Sequence, residues 1–269
     1  MRISILGCGW FGLPLAKALI TAGHSVNGST TSENKLPLLA EAGITPFRID
    51  LTAAENPLSA VFFNCDILVI AIPPKSRSAE GREYVAKLRK VIDAVIKHKV
   101  QKVILVSSTG IYADLNQVVN ENNDPQPNTF AGEILLEAEE LFKRQPAFKT
   151  TIVRFGGLVG PDRDPGRFFA GKDNIANGMA PVNLIHLDDC IGITQQIIEK
   201  DAFGYTINAV APHHPTRADF YMQASAKSGL PLPSFVLELN EWKIVESVTT
   251  IPVLNYEYQV HNWYEWLNT

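Results

Sequence analysis

Through roughly the first 150 residues, short apolar runs alternate with longer stretches whose apolar positions recur every three or four residues. ISIL (3–6), HSVNGS (24–29), PFRID (46–50), ILVIAI (67–72), KVILVS (102–107) and TTIVRF (150–155) have the length and β-branched content of buried strands. The stretches LPLAKALITAG (13–23), GREYVAKLRKVIDAVIKHK (81–99) and GEILLEAEELFKRQ (132–145) have helical spacing. In the second of these Val85, Leu88, Val91, Ile92, Val95 and Ile96 fall on one face. Alternation of this kind predicts an α/β fold of the Rossmann type, a doubly wound parallel sheet with helices on both faces.

The texture changes after residue 155. GGLVGPDRDPGRFFAG (156–171), APHHPTRADF (211–220) and SGLPLPSF (228–235) are rich in Gly and Pro, while VNLIHLDDCIGITQQIIEK (182–200) reads as a helix and GYTINAV (204–210) as a strand. Residues 1–155 plus about 182–210 are therefore expected to form the core, with about 156–181 plus 211–269 as a smaller C-terminal substrate lobe.

The turn after the first strand carries Gly7, Gly9 and Gly12 in the spacing G-x-G-x-x-G. Between a strand and a helix, that spacing predicts a dinucleotide site, with Trp10 and Phe11 completing the loop and the pyrophosphate on the helix N-terminus. The end of the second strand decides the cofactor. An acid there would hold the ribose hydroxyls of NAD(H), whereas this chain has GSTTS and no carboxylate before Glu33. Thr30 and Thr31, with Ser29, Ser32 and Lys35 beside them, favour the 2′-phosphate of NADP(H); NAD(H) stays open. Asp50 and Leu51, and Ala71, Ile72 and Pro73 within AIPPK (71–75), follow later strands and join the cofactor list, since strand carboxyl ends line such a crevice.

Composition narrows the partners. The 269 residues are 46% hydrophobic and 19% charged, with net charge −4, so no basic field invites nucleic acid. Cys8, Cys65 and Cys190 show neither zinc nor disulfide spacing, and no apolar run reaches membrane-spanning length, which predicts a cytoplasmic protein without metal or membrane attachment. The histidine pair His213 and His214 lacks companions at ligand spacing. The terminal YEYQVHNWYEWL is expected to pack the lobe or to contribute to a homodimer contact.

The motifs GCGWFG, VSSTGIYAD, VRFGGLVGPDR, NLIHLDDC and YTINAV, in this order, resemble the extended short-chain dehydrogenase/reductase family, which includes NAD-dependent epimerases and dehydratases of nucleotide sugars. The β-hydroxyacid dehydrogenases share an opening like ISILGCGWFGLPLA but continue into helices, which the Pro/Gly-rich second half does not. The resemblance implies chemistry at a hydroxyl or carbonyl centre of a small molecule, possible substrates being nucleotide sugars, and places the site hydroxyl at Ser108. It also implies a Tyr-x-x-x-Lys pair on the following helix, and this chain has none: Phe130, or Thr129 in a shifted register, stands where Tyr is expected, and no tyrosine has Lys four residues on. Tyr112 and Glu133 are the substitute acid/base candidates. Arg163 and Arg167 are candidate substrate phosphate contacts, Arg217 in HHPTR belongs to a loop expected to close over the crevice on the substrate side, and Asn183 and His186 match positions near the ligand, with Asp188 or Asp189 as helix cap. A non-catalytic NADP(H) sensor is the rival reading.

Overall fold

The computed structural model describes residues 1–52, 58–74 and 81–269, positions 81 and 82 by backbone alone. Lys75 of AIPPK lies outside the described residues. The strands are β1 (Arg2–Leu6), β2 (Ser25–Thr30), β3 (Thr45–Arg48), β4 (Ile67–Ile70), β5 (Lys102–Ser108), β6 (Gln117–Val119), β7 (Lys149–Phe155), β8 (Gly157–Val159), β9 (Leu184–His186), β10 (Thr206–Ala209) and β11 (Lys243–Val245). The helices are α1 (Gly12–Thr21), α2 (Leu36–Glu41), α3 (Ala60–Phe63), α4 (Gly81–Lys97), α5 (Phe130–Lys143), α6 (Leu187–Glu199), α7 (Arg217–Lys227), α8 (Thr250–Leu254) and α9 (Trp263–Leu267).

Seven strands form one parallel sheet in the order β10-β7-β5-β4-β1-β2-β3, the Rossmann arrangement expected from the alternating pattern. Alternate strand residues supply the two faces. Leu6, Leu68, Ile70, Val103 and Leu105 pack beneath α4 and α5, while Ile3, Ile5, Val69, Ile104 and Val153 pack beneath α1 and α6. Burial on both faces explains why these strands read as unbroken apolar runs. On α4, Val85, Leu88, Val91, Ile92 and Val95 are buried as their spacing predicts, whereas Ile96 is exposed. The chain reverses its winding between β1 and β4, and there the carboxyl ends of β1 to β4 open into a crevice.

The stretch 182–200 is not one helix. Leu184–His186 pairs in parallel with Gly157–Val159, and only then does α6 begin, capped by the His186 ring, which accepts the Asp188 N–H, rather than by either aspartate. Asp189 is buried and accepts the Tyr256 hydroxyl and the Gln259 and Val260 N–H groups, pinning the C-terminal segment. That segment buries Trp263 in a third apolar cluster with Val159, Val182, Leu184 and Phe220, which is a packing role for the aromatic C-terminus.

Candidate dinucleotide site

Why the glycine loop needs glycines is visible in what a side chain would meet. Gly7 has φ +106°, and a Cβ at Gly12 would overlap the Gly7 carbonyl oxygen. Around Gly9 there is open space, the side from which a pyrophosphate could approach. The first turn of α1 has no acidic residue and Phe11 provides no side-chain cap; the Leu13 N–H already donates to the Gly9 carbonyl and Pro14 has none, so the Gly12 N–H is the first-turn group left for a ligand. Phe11 itself is buried against Phe155, with ring centroids 5.1 Å apart.

A crevice of about 470 Å³ runs from this loop across the strand ends, lined by Gly7, Gly9, Thr30, Thr31, Asp50, Leu51, Ala71, Ile72 and Pro73. Trp10, Phe11 and Gly12 are not among its lining residues. Its wall also holds Lys35, and Lys87 from α4, which the sequence pattern did not single out. Asp50 accepts the Thr52 hydroxyl at 2.6 Å and the Thr52 N–H at 2.9 Å, and these bonds hold its carboxyl below the usual range. Ser29 plays another part than the one expected of it. Its buried hydroxyl accepts the Gly7 N–H at 2.9 Å and so ties the glycine loop to β2, leaving Thr30, Thr31 and Ser32 on the crevice wall. Cys8 also lines the crevice, and burial pushes its thiol up to about 12. The residues present fit a dinucleotide: a glycine cradle closed to any Cβ at Gly12, open space at Gly9, and a crevice along the strand ends.

Ser108 closes β5, and its Oγ accepts the Gly110 N–H at 3.1 Å, which leaves the hydroxyl hydrogen to be donated. Tyr112 is not available beside it. Arg154 donates to its hydroxyl at 2.6 Å, the hydroxyl in turn bonds Asn120 and Asn208, and burial raises the phenol pKa although the Arg154 charge opposes this. The phenol is thus buried and already bonded to three groups, an arrangement that runs against the acid/base role expected from spacing. Arg154 also forks onto Glu139 of α5 at 2.7 to 3.2 Å, and Glu139 accepts the Ser107 hydroxyl at 2.6 Å.

The Glu139 contact fixes the rotation of α5. Leu135, one turn back, is buried, and a Cβ at Gly132 would lie 2.8 Å from the Gly110 carbonyl oxygen. The face toward the Ser108 turn therefore carries Leu135, Gly132 and Ala131. Phe130 and Thr129 do not occupy it: Phe130 is exposed, and Thr129 caps the helix through the Gly132 N–H. Glu133 is exposed on the first turn.

The remaining candidates scatter. Asn183 bonds the backbone of β11 through both ends of its amide, to the Lys243 carbonyl and the Val245 N–H, so it is occupied in holding that strand. Arg167 is exposed beside Asp164, and Arg217 donates to the Ala176 carbonyl. Arg163 lies over the Trp10 ring, its guanidinium carbon 4.5 Å from the centroid. His186 is buried between its helix-capping bond and Trp266. Among the described residues no helix is long and apolar enough to cross a membrane.

Residues 7–183 match the family model described as NAD(P)H-binding. The chain is 35% identical to protein YeeZ of Escherichia coli strain K12 over 265 residues, 96% of each chain. Among solved structures it is similar to the UDP-glucuronic acid 4-epimerase from Bacillus cereus in complex with UDP-glucuronic acid and NAD, at TM-score 0.82 and 20% identity, covering 100% of this chain and 97% of that one. A short-chain dehydrogenase/reductase superfamily protein from Agrobacterium tumefaciens with bound NAD matches at TM-score 0.80 and 17% identity, covering 100% and 95%.

Proposed function

This chain belongs to the NAD(P)H-binding family, and on that premise we propose that it is a cytoplasmic NADP(H)-dependent oxidoreductase or epimerase of the extended short-chain dehydrogenase/reductase type, acting at a hydroxyl or carbonyl centre of a small molecule. The observation that carries the reading is the glycine cradle at the head of the crevice, on the same sheet edge as the Ser108 hydroxyl. NADP(H) is favoured because the β2 end offers Thr30, Thr31 and Ser32 with Lys35 nearby and no acid to repel a 2′-phosphate.

The nicotinamide, when bound, supplies the hydride chemistry. The chain's own part is to hold the substrate oxygen on the Ser108 hydroxyl, whose oxygen is already oriented by the Gly110 N–H. Glu133, adjacent to the residue that abuts Gly110, is the exposed carboxylate proposed to exchange the proton with substrate or water. The apolar α5 face at Leu135 and Ala131 favours a second reading, a dinucleotide sensor that keeps the fold but not the acid/base pair.

Parallel fluorescence titrations with NADPH and NADH, followed by a panel of hydroxyl and carbonyl compounds that includes UDP-sugars, separate the two. Tight NADPH binding with cofactor oxidation on one of the compounds supports the enzyme, and Ser108→Ala should then abolish turnover with cofactor affinity unchanged. An unaffected rate would remove Ser108 from the mechanism, and failure to bind either dinucleotide would overturn the whole proposal.

A further inference from the structure

The glycine loop offers N–H groups to a pyrophosphate, yet the lysines of the crevice, Lys35 and Lys87, belong to the wall shared with Thr31 and Asp50. A pyrophosphate brings negative charge to the loop itself. A basic group reaches the glycine loop from a turn far along the chain. The turn Gly160–Arg163 is closed by the Arg163 N–H donating to the Gly160 carbonyl at 2.9 Å, with Asp162 at φ +63°. It is seated on Trp10 of the glycine loop at three points. A Cβ at Gly160 would lie 3.4 Å from Trp10 Cζ2, the Trp10 indole N–H donates to the Pro161 carbonyl, and the Arg163 guanidinium stacks on the ring at 4.5 Å.

Stacking fixes the plane of a guanidinium and leaves its N–H edge free to bond in that plane. Arg163 is exposed and forms no ion pair among the described residues, whereas Arg167 four residues on sits beside Asp164 at 3.7 Å. We propose that Arg163 is a cofactor ligand rather than a substrate ligand: carried on Trp10, it supplies the counter-charge for the dinucleotide pyrophosphate from the lobe side of the crevice. This rests on the dinucleotide reading above. Trp10 is then a positioning residue, because it reaches the cofactor's charge only through the arginine it carries.

The test compares a ligand that has the pyrophosphate with one that lacks it. The intact protein, Arg163→Met and Arg163→Lys are titrated with NADPH and with adenosine 2′-monophosphate, and their melting temperatures are recorded. Arg163→Met, which keeps an apolar chain on the indole, should bind NADPH on the order of tenfold more weakly, the size of one charge-assisted hydrogen bond. Its affinity for adenosine 2′-monophosphate should stay within about twofold of the intact protein, since this ligand places no pyrophosphate on the loop. Arg163→Lys should fall between, keeping the charge but losing the planar fork. Trp10→Phe should weaken NADPH by less than Arg163→Met, because stacking survives and only the bond to Pro161 is lost. NADPH affinity unchanged in Arg163→Met, or equal loss of both ligands, would overturn the assignment. Failure of the intact protein to bind any dinucleotide is a separate result, which removes the cofactor reading and this inference with it.

Discussion

Glu139→Gln tests the network that brackets Ser108. The Glu139 and Arg154 side chains are 0% and 2% exposed, and the guanidinium spends its Nε and one terminal nitrogen on the carboxylate and the other on Tyr112. Burial works against the Arg154 charge, and the Glu139 bonds outweigh it and raise its pKa. Removing one charge of such a pair leaves the other buried and uncompensated, at a cost of about 3–5 kcal/mol. Glutamine keeps the shape and one acceptor for Ser107, so the loss should be about 3 kcal/mol, the lower end of that range. For a chain of this length that corresponds to a melting temperature lower by roughly 6–12 °C. Removing both partners in Glu139→Leu/Arg154→Met leaves the Ser107 hydroxyl without its acceptor while Tyr112 keeps Asn120 and Asn208, a cost of about 2 kcal/mol. Urea unfolding measures this directly, as a shifted midpoint at unchanged slope. A Gln variant within about 1 kcal/mol of the parent, or a double variant less stable than both singles, would refute the reasoning.

Thr31→Asp should move preference from NADPH to NADH by at least about tenfold, because a carboxylate at the β2 end repels a 2′-phosphate and accepts ribose hydroxyls; the ratio of the two dissociation constants reads it, and an unchanged ratio places the phosphate elsewhere. Gly12→Ala should abolish dinucleotide binding and lower stability by about 1–3 kcal/mol, since the new methyl overlaps the Gly7 carbonyl oxygen; a variant that binds NADPH normally would show that the loop can relax. Burial lowers the pKa of His214, and of His213 more exposed beside it, below the ordinary imidazole value of 6.5. The unfolded chain therefore takes up protons first, and stability should be lost as pH falls through 6.5 toward the folded-state values. Melting temperatures between pH 8 and 5 should show that fall, and His214→Gln, which retains a donor for the Val182 carbonyl, should flatten it; an identical profile in the variant would exclude His214.

What the sequence made legible follows from where side chains have only one place to go. β1, β4 and β5 lie inside the sheet and are largely apolar on both faces, so their runs are unambiguous, and the glycine loop is legible because its spacing is a steric requirement. The stretch VNLIH reads equally well as a helix start, and only pairing with Gly157–Val159 makes it a strand. Tyr112 has the same spacing from Ser108 whichever way its ring points, and Arg154, on the neighbouring strand, turns it into the core. The Trp10 and Pro161 pairing joins residues with no local pattern in common. The rotation of α5 was hidden for a related reason: without Tyr and Lys to mark the face, TFAGEILLEAEE offers several registers, and Glu139 bonding Ser107 selects one. That register takes Phe130 and Thr129 off the face toward the Ser108 turn and puts Leu135, Gly132 and Ala131 on it. None of these three can exchange a proton, which is why the acid/base proposed above is Glu133, on the exposed first turn of α5.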